Sequence, residues 1–429
     1  MPVRTQTHRR AGVAVYRRIP HNAAVKITNL LMPLAMSLSL ISCSSHSDPP
    51  QFSATLIGDP VGGPATSPRL SGGSDNSLIM SWLRPDEESV ALQYSKYMDG
   101  HWSDAVTIVE SDHLFVNWAD LPSVVPLDNG HLAAHWLQRT DGERYSYDTV
   151  FRQSLDDGAT WSSSLVPHMD GTPTEHGFVS MFPIDGGTGL VWLDGRKMLN
   201  DVTDDPIGSG MTLRAAVVGA DQSLQADQLV DELICDCCQT DVAIATSGPV
   251  AVYRNRSAEE IRDIYVVRHL DGQWQTGEPV ADDGWEIAGC PVNGPSIAAD
   301  GDTVAIAWFT AAENPLVQVA FSNDSGESFS DPIEIVRSET LGRAAIALLD
   351  DGEIAVSWLA AANSSYLEVK VRRVMKNRTL GPIHIVANTA TGLSVPQMVR
   401  VNDDLVLAWT EKRNDGTYIA SAKVAIDSL

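Results

Sequence analysis

Four cysteines are the side chains of this sequence with the widest range of chemistry. Cys235, Cys237 and Cys238 share one short segment, and Cys290 lies farther along the chain. Such thiols form disulfides, bind a soft metal ion such as zinc or copper, or take part in redox exchange. The segment lacks the two Cys-x-x-Cys pairs that are usual for zinc. The N-terminal segment described below predicts export to a compartment that oxidises thiols. We therefore expect a disulfide from Cys290 to one of the other three cysteines, with the remaining two paired, and three pairings are open.

Arginines are the second group of interest, because positive charge is scarce. The chain has 30 Lys and Arg against 55 Asp and Glu, so its formal net charge is −25. Five charged residues nevertheless concentrate in two segments that follow apolar runs, namely Arg196, Arg254, Arg256, Arg262 and Asp263. A guanidinium group binds carboxylate or sulfate through two parallel hydrogen bonds, so these segments are candidate anion-binding sites. The alternative is a pair of solvated loops whose Arg–Glu pairs each contribute little.

The elements that must position these side chains are β-strands. After residue 50, short alternating or apolar runs are separated by Asp-Gly, Asn-Gly and Gly-Gly pairs, without a long helical periodicity. One strand recurs seven times with an aromatic residue at its fourth or fifth place. The copies are Leu78–Leu83, Leu132–Leu137, Gly189–Leu193, Val250–Arg254, Val304–Phe309, Ile354–Leu359 and Leu405–Thr410.

The spacing of these copies predicts an all-β fold, a β-propeller. Successive aromatic residues lie roughly 50 to 60 residues apart, which is the length of a four-stranded blade with its loops. The last repeat is one strand short, and the run Phe52–Gly58 before the first repeat can supply the missing strand. We therefore expect one domain over residues 52–429, with seven four-stranded blades closed by an N-terminal strand. Six blades are the alternative.

Four further charged residues lie where innermost strands are expected to begin. Arg69 and Arg343 stand at two such positions, and Asp120 and Asp241 at two others. Loops from different blades meet around one axis, so these side chains are candidates to point into the central channel. They form either a ligand site, with Asp120 or Asp241 as a catalytic acid, or structural salt bridges across the channel.

Two turns carry a more specific pattern, Ser-x-Asp-x-Gly-x-x-aromatic. The matching residues are Ser154, Asp156, Gly158 and Trp161 in one turn and Ser322, Asp324, Gly326 and Phe329 in the other. We expect the Asp to accept hydrogen bonds from turn amides, the Gly to take a positive φ and the aromatic ring to pack into the blade. The pattern resembles the Asp box, or BNR repeat, of the sialidase superfamily, and the resemblance covers essentially the whole predicted mature chain.

That resemblance implies a propeller whose Asp boxes lie on the face opposite the substrate. It also implies three arginines that hold a sugar carboxylate, a tyrosine nucleophile activated by a carboxylate, and an acid for the leaving group. Arg69, Arg254 and Arg343 would be those arginines. The sequence departs from the family in two respects. The Arg-Ile-Pro signature is absent after residue 42, and no tyrosine occupies an obvious nucleophile position.

The first 42 residues have the features of a lipoprotein signal peptide. They hold six basic and no acidic residues and end in a thirteen-residue stretch, Leu30–Ser42, that is too short to span a bilayer. The junction with Cys43 resembles a lipobox. We expect a lipid on Cys43 to anchor the protein to a membrane, residues 43–51 to form a tether, and the location to be the outer membrane, facing the periplasm or the surface. The alternative is an uncleaved anchor.

Removal of this leader would leave 24 basic against 55 acidic residues, a formal charge of −31. Nucleic acid and anionic membrane surfaces are then poor partners. The acidity favours solubility or a saline habitat, with cation binding or a basic ligand as the alternative. Phosphate-cradling, His-Glu-x-x-His and Gly-x-Ser-x-Gly motifs are absent, so we expect no cofactor and, apart from the cysteine alternative, no metal.

Three functions fit these patterns. The first is recognition of a glycan or an envelope protein by a lipid-anchored, sialidase-like propeller without demonstrated catalysis. The second is a glycoside hydrolase of the exo-sialidase type, and the third is a scaffold for an envelope assembly. Three converging arginines beside a Tyr–Glu pair would favour hydrolysis. Arginines without that pair would favour binding, and a channel sealed by apolar side chains would favour the scaffold.

Overall fold

The computed structural model describes residues 51–429 except 74–75, 142–144, 201–209, 226, 363–365 and 391–393. The described chain forms seven antiparallel sheets, arranged as a seven-bladed β-propeller. The predicted signal peptide and Cys43 lie outside the described residues. Within the described part, the structure has no helix with the length and hydropathy that crossing a membrane requires.

The strands follow one another blade by blade. Blade 1 has β2 Thr66–Gly72, β3 Leu78–Pro85, β4 Val90–Met98, β5 His101–Trp102 and β6 Val106–Ser111; blade 2 has β7 Ser123–Pro126, β8 Leu132–Arg139 and β9 Tyr147–Ser154. Blade 3 has β10 His176–Ile184, β11 Gly187–Asp194, β12 Met211–Gly219 and β13 Gln228–Ile234; blade 4 has β14 Asp241–Ala245, β15 Gly248–Arg254, β16 Ile264–Leu270, β17 Gln273–Trp274 and β18 Glu278–Pro279.

The remaining three blades are more regular. Blade 5 has β19 Ser296–Asp300, β20 Thr303–Thr310, β21 Leu316–Ser322 and β22 Ile333–Arg337; blade 6 has β23 Thr340–Leu348, β24 Ile354–Ala361, β25 Leu367–Val374 and β26 Leu380–Thr389. Blade 7 has β27 Gln397–Val401, β28 Asp404–Arg413, β29 Gly416–Ala425 and, from the N-terminal side, β1 Ala54–Leu56. The described part of the chain also has four short 3-10 helices, Asp128–Gly130, Arg196–Asn200, Asp350–Gly352 and Ile426–Ser428.

The seven recurring strands of the sequence are the second strands of the seven blades. Each lies between two strands of its own sheet and packs on the neighbouring blades, which is why its side chains are almost all buried. The aromatic residues at the repeated position are at most 2% exposed: Trp82, Trp136, Trp192, Tyr253, Trp308, Trp358 and Trp409. Within the described residues the core therefore consists of seven blade-to-blade clusters and one small cluster of Phe115, Leu137 and Tyr147, rather than one central mass.

The N-terminal strand closes the ring as predicted. Ala54 pairs with Val424 in an antiparallel register, so β1 is the outermost strand of blade 7. This confirms seven blades over six. Three blades depart from the four-strand pattern. In blades 1 and 4 two short strands instead of one pair with the third strand, and in blade 2 the fourth position has only an isolated bridge between Phe151 and Leu165.

We call upper face the side of the propeller that carries the loops from second to third strands and the connections between blades. The lower face carries the other turns, including both Asp-box turns. In one of them Asp156 accepts hydrogen bonds from the amide of Thr160 at 2.8 Å and from the hydroxyl of Ser154 at 2.8 Å, and Gly158 has a φ of 88°. The turn formed by Ser322, Asp324, Gly326 and Ser328 repeats these contacts. Trp161 and Phe329 pack at the edges of inter-blade clusters, so both turns are structural.

Candidate functional site

The innermost strands of all seven blades line a central channel with a volume of about 530 Å³. Arg69 of β2, Asp241 of β14 and Arg343 of β23 belong to its wall. The described wall therefore leaves the channel open, with charged groups in it. A larger groove of about 920 Å³ opens on the lower face among the hairpin turns of blades 2 to 4. Among the arginines that were predicted to bind a ligand, Arg69 and Arg343 face a cavity, and that cavity is the channel. We therefore place the candidate site there.

Arg69 and Asp241 form a long ion pair between blades 1 and 4. Their Nη2 and Oδ1 atoms are 3.8 Å apart, and the two side chains are 27% and 23% exposed. The other carboxylate oxygen of Asp241 accepts hydrogen bonds from the hydroxyl of Ser296 and the amide of Ile297. Burial raises the pKa of Asp241, and the charge of Arg69 opposes this shift. Asp241 is thus held by protein groups, whereas Arg69 keeps a partly exposed guanidinium.

Arg343 reaches the channel because its strand is irregular. Gly342 and Arg343 have φ values of 75° and 55° in a bulge between β23 and β24. A Cβ at position 342 would collide with the ring of Phe309, so glycine is required there. The Arg343 guanidinium lies 4.6 Å from the ring centroid of Trp118 and donates to the carbonyl of Ser394 at 3.2 Å. Burial lowers the pKa of Arg343 to about 10.

The third predicted arginine does not join them. Arg254 is 1% exposed, and its guanidinium donates to the carbonyl oxygens of Asn293 at 2.9 Å, Arg262 at 2.6 Å and Phe309 at 2.7 Å. Its side chain also lies 4.8 Å over the ring of Trp285. The expected convergence of three arginines on one ligand is therefore absent, because Arg254 holds blade 4 to blade 5.

The charged loop after β15 is also satisfied internally. Glu260 accepts hydrogen bonds from both Arg256 and Arg262, at 2.5 Å and 2.8 Å for the shortest contacts. Asp263 accepts from the amides of Gly284 and Trp285. The loop thus follows the alternative given in the sequence analysis, in which its arginines pair with acidic residues of the protein. It presents no converging set of arginines to a ligand.

The cysteines divide into one disulfide and two thiols. Cys237 and Cys290 are bonded and link the connections that precede blades 4 and 5. Cys235 and Cys238, expected to pair, are buried free thiols with their sulfur atoms 2.7 Å apart. Burial opposes ionisation of Cys235, but the hydrogen bond with Cys238 and the charges of Arg254 and Arg262 outweigh it and lower its pKa to about 7.

Arg196 is bound by three carboxylates. It forms a two-pronged contact with Asp194, at 2.7 Å to each oxygen, and its Nη2 lies 2.8 Å from Asp227 and 3.6 Å from Asp170. Arg196 therefore neutralises an acidic cluster at the upper end of blade 3, which accounts for its charge without a ligand.

Beside this cluster, His168 and His176 stack with their ring centroids 3.7 Å apart and an interplanar angle of 6°. Asp170 bridges the two rings, at 3.0 Å from Nδ1 of His168 and 3.3 Å from Nε2 of His176. Asp148 lies on the other side, 3.7 Å from a nitrogen of each ring. Burial alone would lower the pKa of His176, but Asp170 and the neighbouring carboxylates outweigh it and raise this pKa.

A second buried group surrounds the hydroxyl of Tyr147. This hydroxyl lies 3.4 Å from Oδ2 of Asp120 and 3.4 Å from Oε2 of Glu175. Burial raises the pKa of both carboxyls to about 7 and that of Tyr147 well above its usual range. Asp120 also accepts the amide of Phe178 at 2.8 Å. Tyr147 and Asp120 are 0% and 1% exposed, whereas Glu175 is half-buried, so the Tyr147 hydroxyl and Asp120 are covered in the structure.

Sequence reasoning found Asp120 but missed Tyr147, Glu175, His168 and His176. Tyr147 begins a third strand, where no aromatic repeat marks it. A signal did exist for the other three residues. His168, Asp170, Glu175 and His176 crowd the connection that precedes an innermost strand, a position where side chains from adjacent blades meet.

No protein-family model and no curated protein sequence matches the chain. Among solved structures, a protein of unknown function from Dyadobacter fermentans is similar over 87% of this chain and 98% of its own, with 13% identity and a TM-score of 0.47. A Trypanosoma rangeli sialidase is similar over 76% of this chain at 12% identity and a TM-score of 0.45, and this chain covers 56% of it. The NanB sialidase of Streptococcus pneumoniae is similar over 82% of this chain and 84% of its own, with 10% identity and a TM-score of 0.44. The fold assignment rests on the sheet topology, and these similarities carry no argument about activity.

Proposed function

We propose that the protein is an envelope-anchored propeller that recognises a glycan or protein bearing a carboxylate or sulfate, at the upper mouth of its channel. The observation that carries this proposal is that Arg69 and Arg343, from blades 1 and 6, line the same open channel. Guanidinium groups bind such anions through paired hydrogen bonds. The open channel also favours binding over a purely structural role.

The remaining contacts favour binding over hydrolysis. Arg254 donates to three backbone carbonyls, so only two of the three predicted arginines, Arg69 and Arg343, lie in the channel. The chain as a whole is strongly acidic, with a formal charge of −25, so an anionic ligand is attracted only locally. The long-range electrostatic attraction of the ligand should therefore be weak, and the affinity at the site should fall as the salt concentration rises.

The test is titration calorimetry of the purified protein with an acidic sugar, such as N-acetylneuraminic or glucuronic acid, and with neutral galactose. We expect binding of the acidic sugars and at least a roughly tenfold loss of affinity in Arg69→Ala and in Arg343→Ala, since a tenfold change is about 1.4 kcal/mol. Arg84→Ala, an exposed arginine of blade 1, is the matched control. Equal affinity in all three variants would contradict the proposal.

A second candidate function is glycoside hydrolysis of the sialidase type. Tyr147 beside Glu175 and Asp120 favours it, because these groups could act as nucleophile, base and acid. Hydrolysis would require the covering chain to move, since Tyr147 and Asp120 are buried. A fluorogenic sialoside assay separates the two functions. Turnover by wild type that is lost in Tyr147→Phe would support the hydrolase. No turnover by wild type at any pH from 4 to 8 would rule out the hydrolase.

Anchoring through Cys43 is part of the proposal, on the strength of the basic leader, the short apolar stretch and the cysteine that follows. Metabolic labelling with a radioactive fatty acid and membrane fractionation test it. Wild type should carry label and sediment with the outer membrane, whereas Cys43→Ser should carry none. Equal labelling of both forms would rule out Cys43 as the lipidated residue.

A further inference from the structure

We propose that the outer rim of blade 6 is a contact surface for a membrane that contains anionic phospholipid. The residues of this surface, which we call the blade 6 rim, are Arg372 of β25, Lys376 and Arg378 of the following turn, and Ile383 and Ile385 of β26. The inference rests on the proposed anchoring through Cys43, because the anchor keeps the protein at a bilayer. It adds which side of the propeller faces that bilayer.

Two exposed isoleucines lie on the outermost strand of the blade. β26 pairs with β25 alone among the described strands, so its other edge is open. Ile383 and Ile385 are 43% and 48% exposed, and they point to the same face because they are two residues apart. Their cross-strand partners on that face are Arg372 and Lys370. Apolar side chains beside Lys and Arg are the combination with which peripheral proteins bind the interface of a bilayer.

Positive charge is concentrated in this part of an acidic protein. From the start of residues 366–429 to their end, the chain holds nine Lys and Arg against six Asp and Glu, a formal charge of +3. Residues 43–365 hold 15 against 49, a formal charge of −34. Charges farther apart than about 10 Å are largely screened at 0.1 M salt, so the distant acidic blades leave a local attraction intact. An anionic surface is therefore attracted to this side of the propeller and repelled by the others.

Within the described residues, the three cations of the blade 6 rim form no ion pair. Arg372 donates to two backbone carbonyls, the Arg378 guanidinium lies 3.3 Å from the ring centroid of an aromatic residue of blade 5, and Lys376 is exposed. Two carboxylates of the same blade are each paired with another cation, Glu353 with Arg373 at 2.6 Å and Glu368 with Lys370 at 2.9 Å. The rim thus keeps positive charge that lipid phosphate groups can neutralise.

The N-terminal end of the propeller lies beside the same rim. The ring of Phe52 stacks on that of His384, with the centroids 4.2 Å apart. His384 lies between the two exposed isoleucines in sequence and points to the opposite face of β26. An extended chain spans at most about 3.6 Å per residue, so Cys43 lies at most about 32 Å from Phe52. A lipid on Cys43 would therefore hold this rim close to the bilayer, where even a weak contact is populated.

A contact at this rim leaves the ligand site accessible. Lys376 and Arg378 belong to the turn between the third and fourth strands of blade 6, which lies on the lower face. The upper mouth of the channel, with Arg69 and Arg343, opens on the other face. A membrane that binds the rim and the adjoining lower edge of blade 6 would therefore not cover the upper mouth.

The experiment is hydrogen–deuterium exchange of the lipidated protein in vesicles of phosphatidylcholine alone or with about one third phosphatidylglycerol. We expect the amides of β26 to exchange at least about threefold more slowly in the anionic vesicles, and those of β13 on blade 3 to exchange equally in both. Ile383→Asp/Ile385→Asp should abolish this protection, and Lys376→Glu should reduce it. Leu229→Asp is the matched control, because Leu229 is 42% exposed on the outermost strand of blade 3.

Equal exchange of β26 in both kinds of vesicle would overturn the proposal, as would protection on the rim of another blade. Protection of β26 without vesicles, rising with protein concentration, would assign the rim to a second copy of the chain instead. Circular dichroism of each variant checks folding, and the affinity for an acidic sugar should stay unchanged in Ile383→Asp/Ile385→Asp.

Mass spectrometry of Cys43 separates a failure of the anchor from a failure of the contact. Protein that carries no lipid on Cys43 would contradict the anchoring. The rim is then tested by sedimentation of that protein with the same two kinds of vesicle. More wild type than Ile383→Asp/Ile385→Asp should sediment with the anionic vesicles, and equal amounts would overturn the proposed contact.

Discussion

Blades 2 to 4 and blades 5 to 7 share one architecture but differ in what they bury. All buried aspartates, histidines and arginines of the described chain lie between residues 120 and 263: Asp120, His135, His168, His176, Asp194, Arg254, Arg262 and Asp263. The buried polar side chains described in blades 5 to 7 are Ser, Thr and Gln. Burial of ionisable groups costs folding free energy, and a propeller does not need it. Blades 5 to 7 are therefore mainly scaffold apart from Arg343 at the channel, whereas blades 2 to 4 hold the fully buried ionisable groups.

The largest effect should come from the scaffold half. Trp358→Ala in blade 6 removes a side chain with 0% exposure from an inter-blade cluster, and we expect a loss of about 3–5 kcal/mol in the free energy of unfolding. Urea unfolding measures it. Tyr366→Ala, a 54% exposed aromatic of the same blade, should cost much less. Similar losses for both would undermine the assignment of Trp358 to the core.

A somewhat smaller loss in the free energy of unfolding should follow from Arg254→Met. The change leaves the carbonyls of Asn293, Arg262 and Phe309 without their donor, and we expect a cost of about 3 kcal/mol. Arg337→Met, at a 42% exposed arginine, is the control. Anion binding by the folded fraction should persist. Wild-type stability with lost anion binding would instead restore Arg254 as a ligand residue.

The third effect is a change in pH dependence. Burial raises the pKa of Asp120 to about 7 from an ordinary value of 3.8, so the folded state favours the protonated carboxyl. Its contribution to stability is complete below pH 3.8 and is lost as the pH rises through about 7. Between pH 5 and 8, the free energy of unfolding of Asp120→Asn should therefore fall by about 3 kcal/mol less than that of wild type. Thermal unfolding at several pH values measures this.

Asp112→Asn, at a 72% exposed aspartate, is the control for that series and should follow wild type. Parallel pH profiles for wild type and Asp120→Asn would show that Asp120 is not a strained buried acid. They would also weaken the candidate hydrolase, since its acid would then have an ordinary environment.

The fold was predictable because its signal repeats. An aromatic residue at one place in seven strands, together with turn pairs between them, fixes strand order and blade number, and the incomplete last repeat indicates closure by Ala54–Leu56. The direction of single side chains was less accessible. Arg254 follows Tyr253 on the same strand and therefore points to the other face of its sheet, into the boundary with blade 5.

The candidate sites depend on contacts between connections whose conformation no local pattern encodes. The rings of His168 and His176 stack although seven residues separate them in the chain, and the hydroxyl of Tyr147 at the start of β9 lies near Asp120, which precedes blade 2. Arg343 enters the channel through a bulge with a positive φ at a non-glycine residue, which is an unfavourable local conformation that the packed surroundings impose. Such features follow from tertiary packing and not from periodicity.

The most direct measurement is a crystal structure of the protein with a bound acidic sugar. We predict that the sugar lies at the upper mouth of the channel, with its carboxylate within hydrogen-bonding distance of Arg69 or Arg343. A sugar bound instead in the lower-face groove among the hairpin turns of blades 2 to 4, or a channel that stays empty at saturating sugar, would contradict the account.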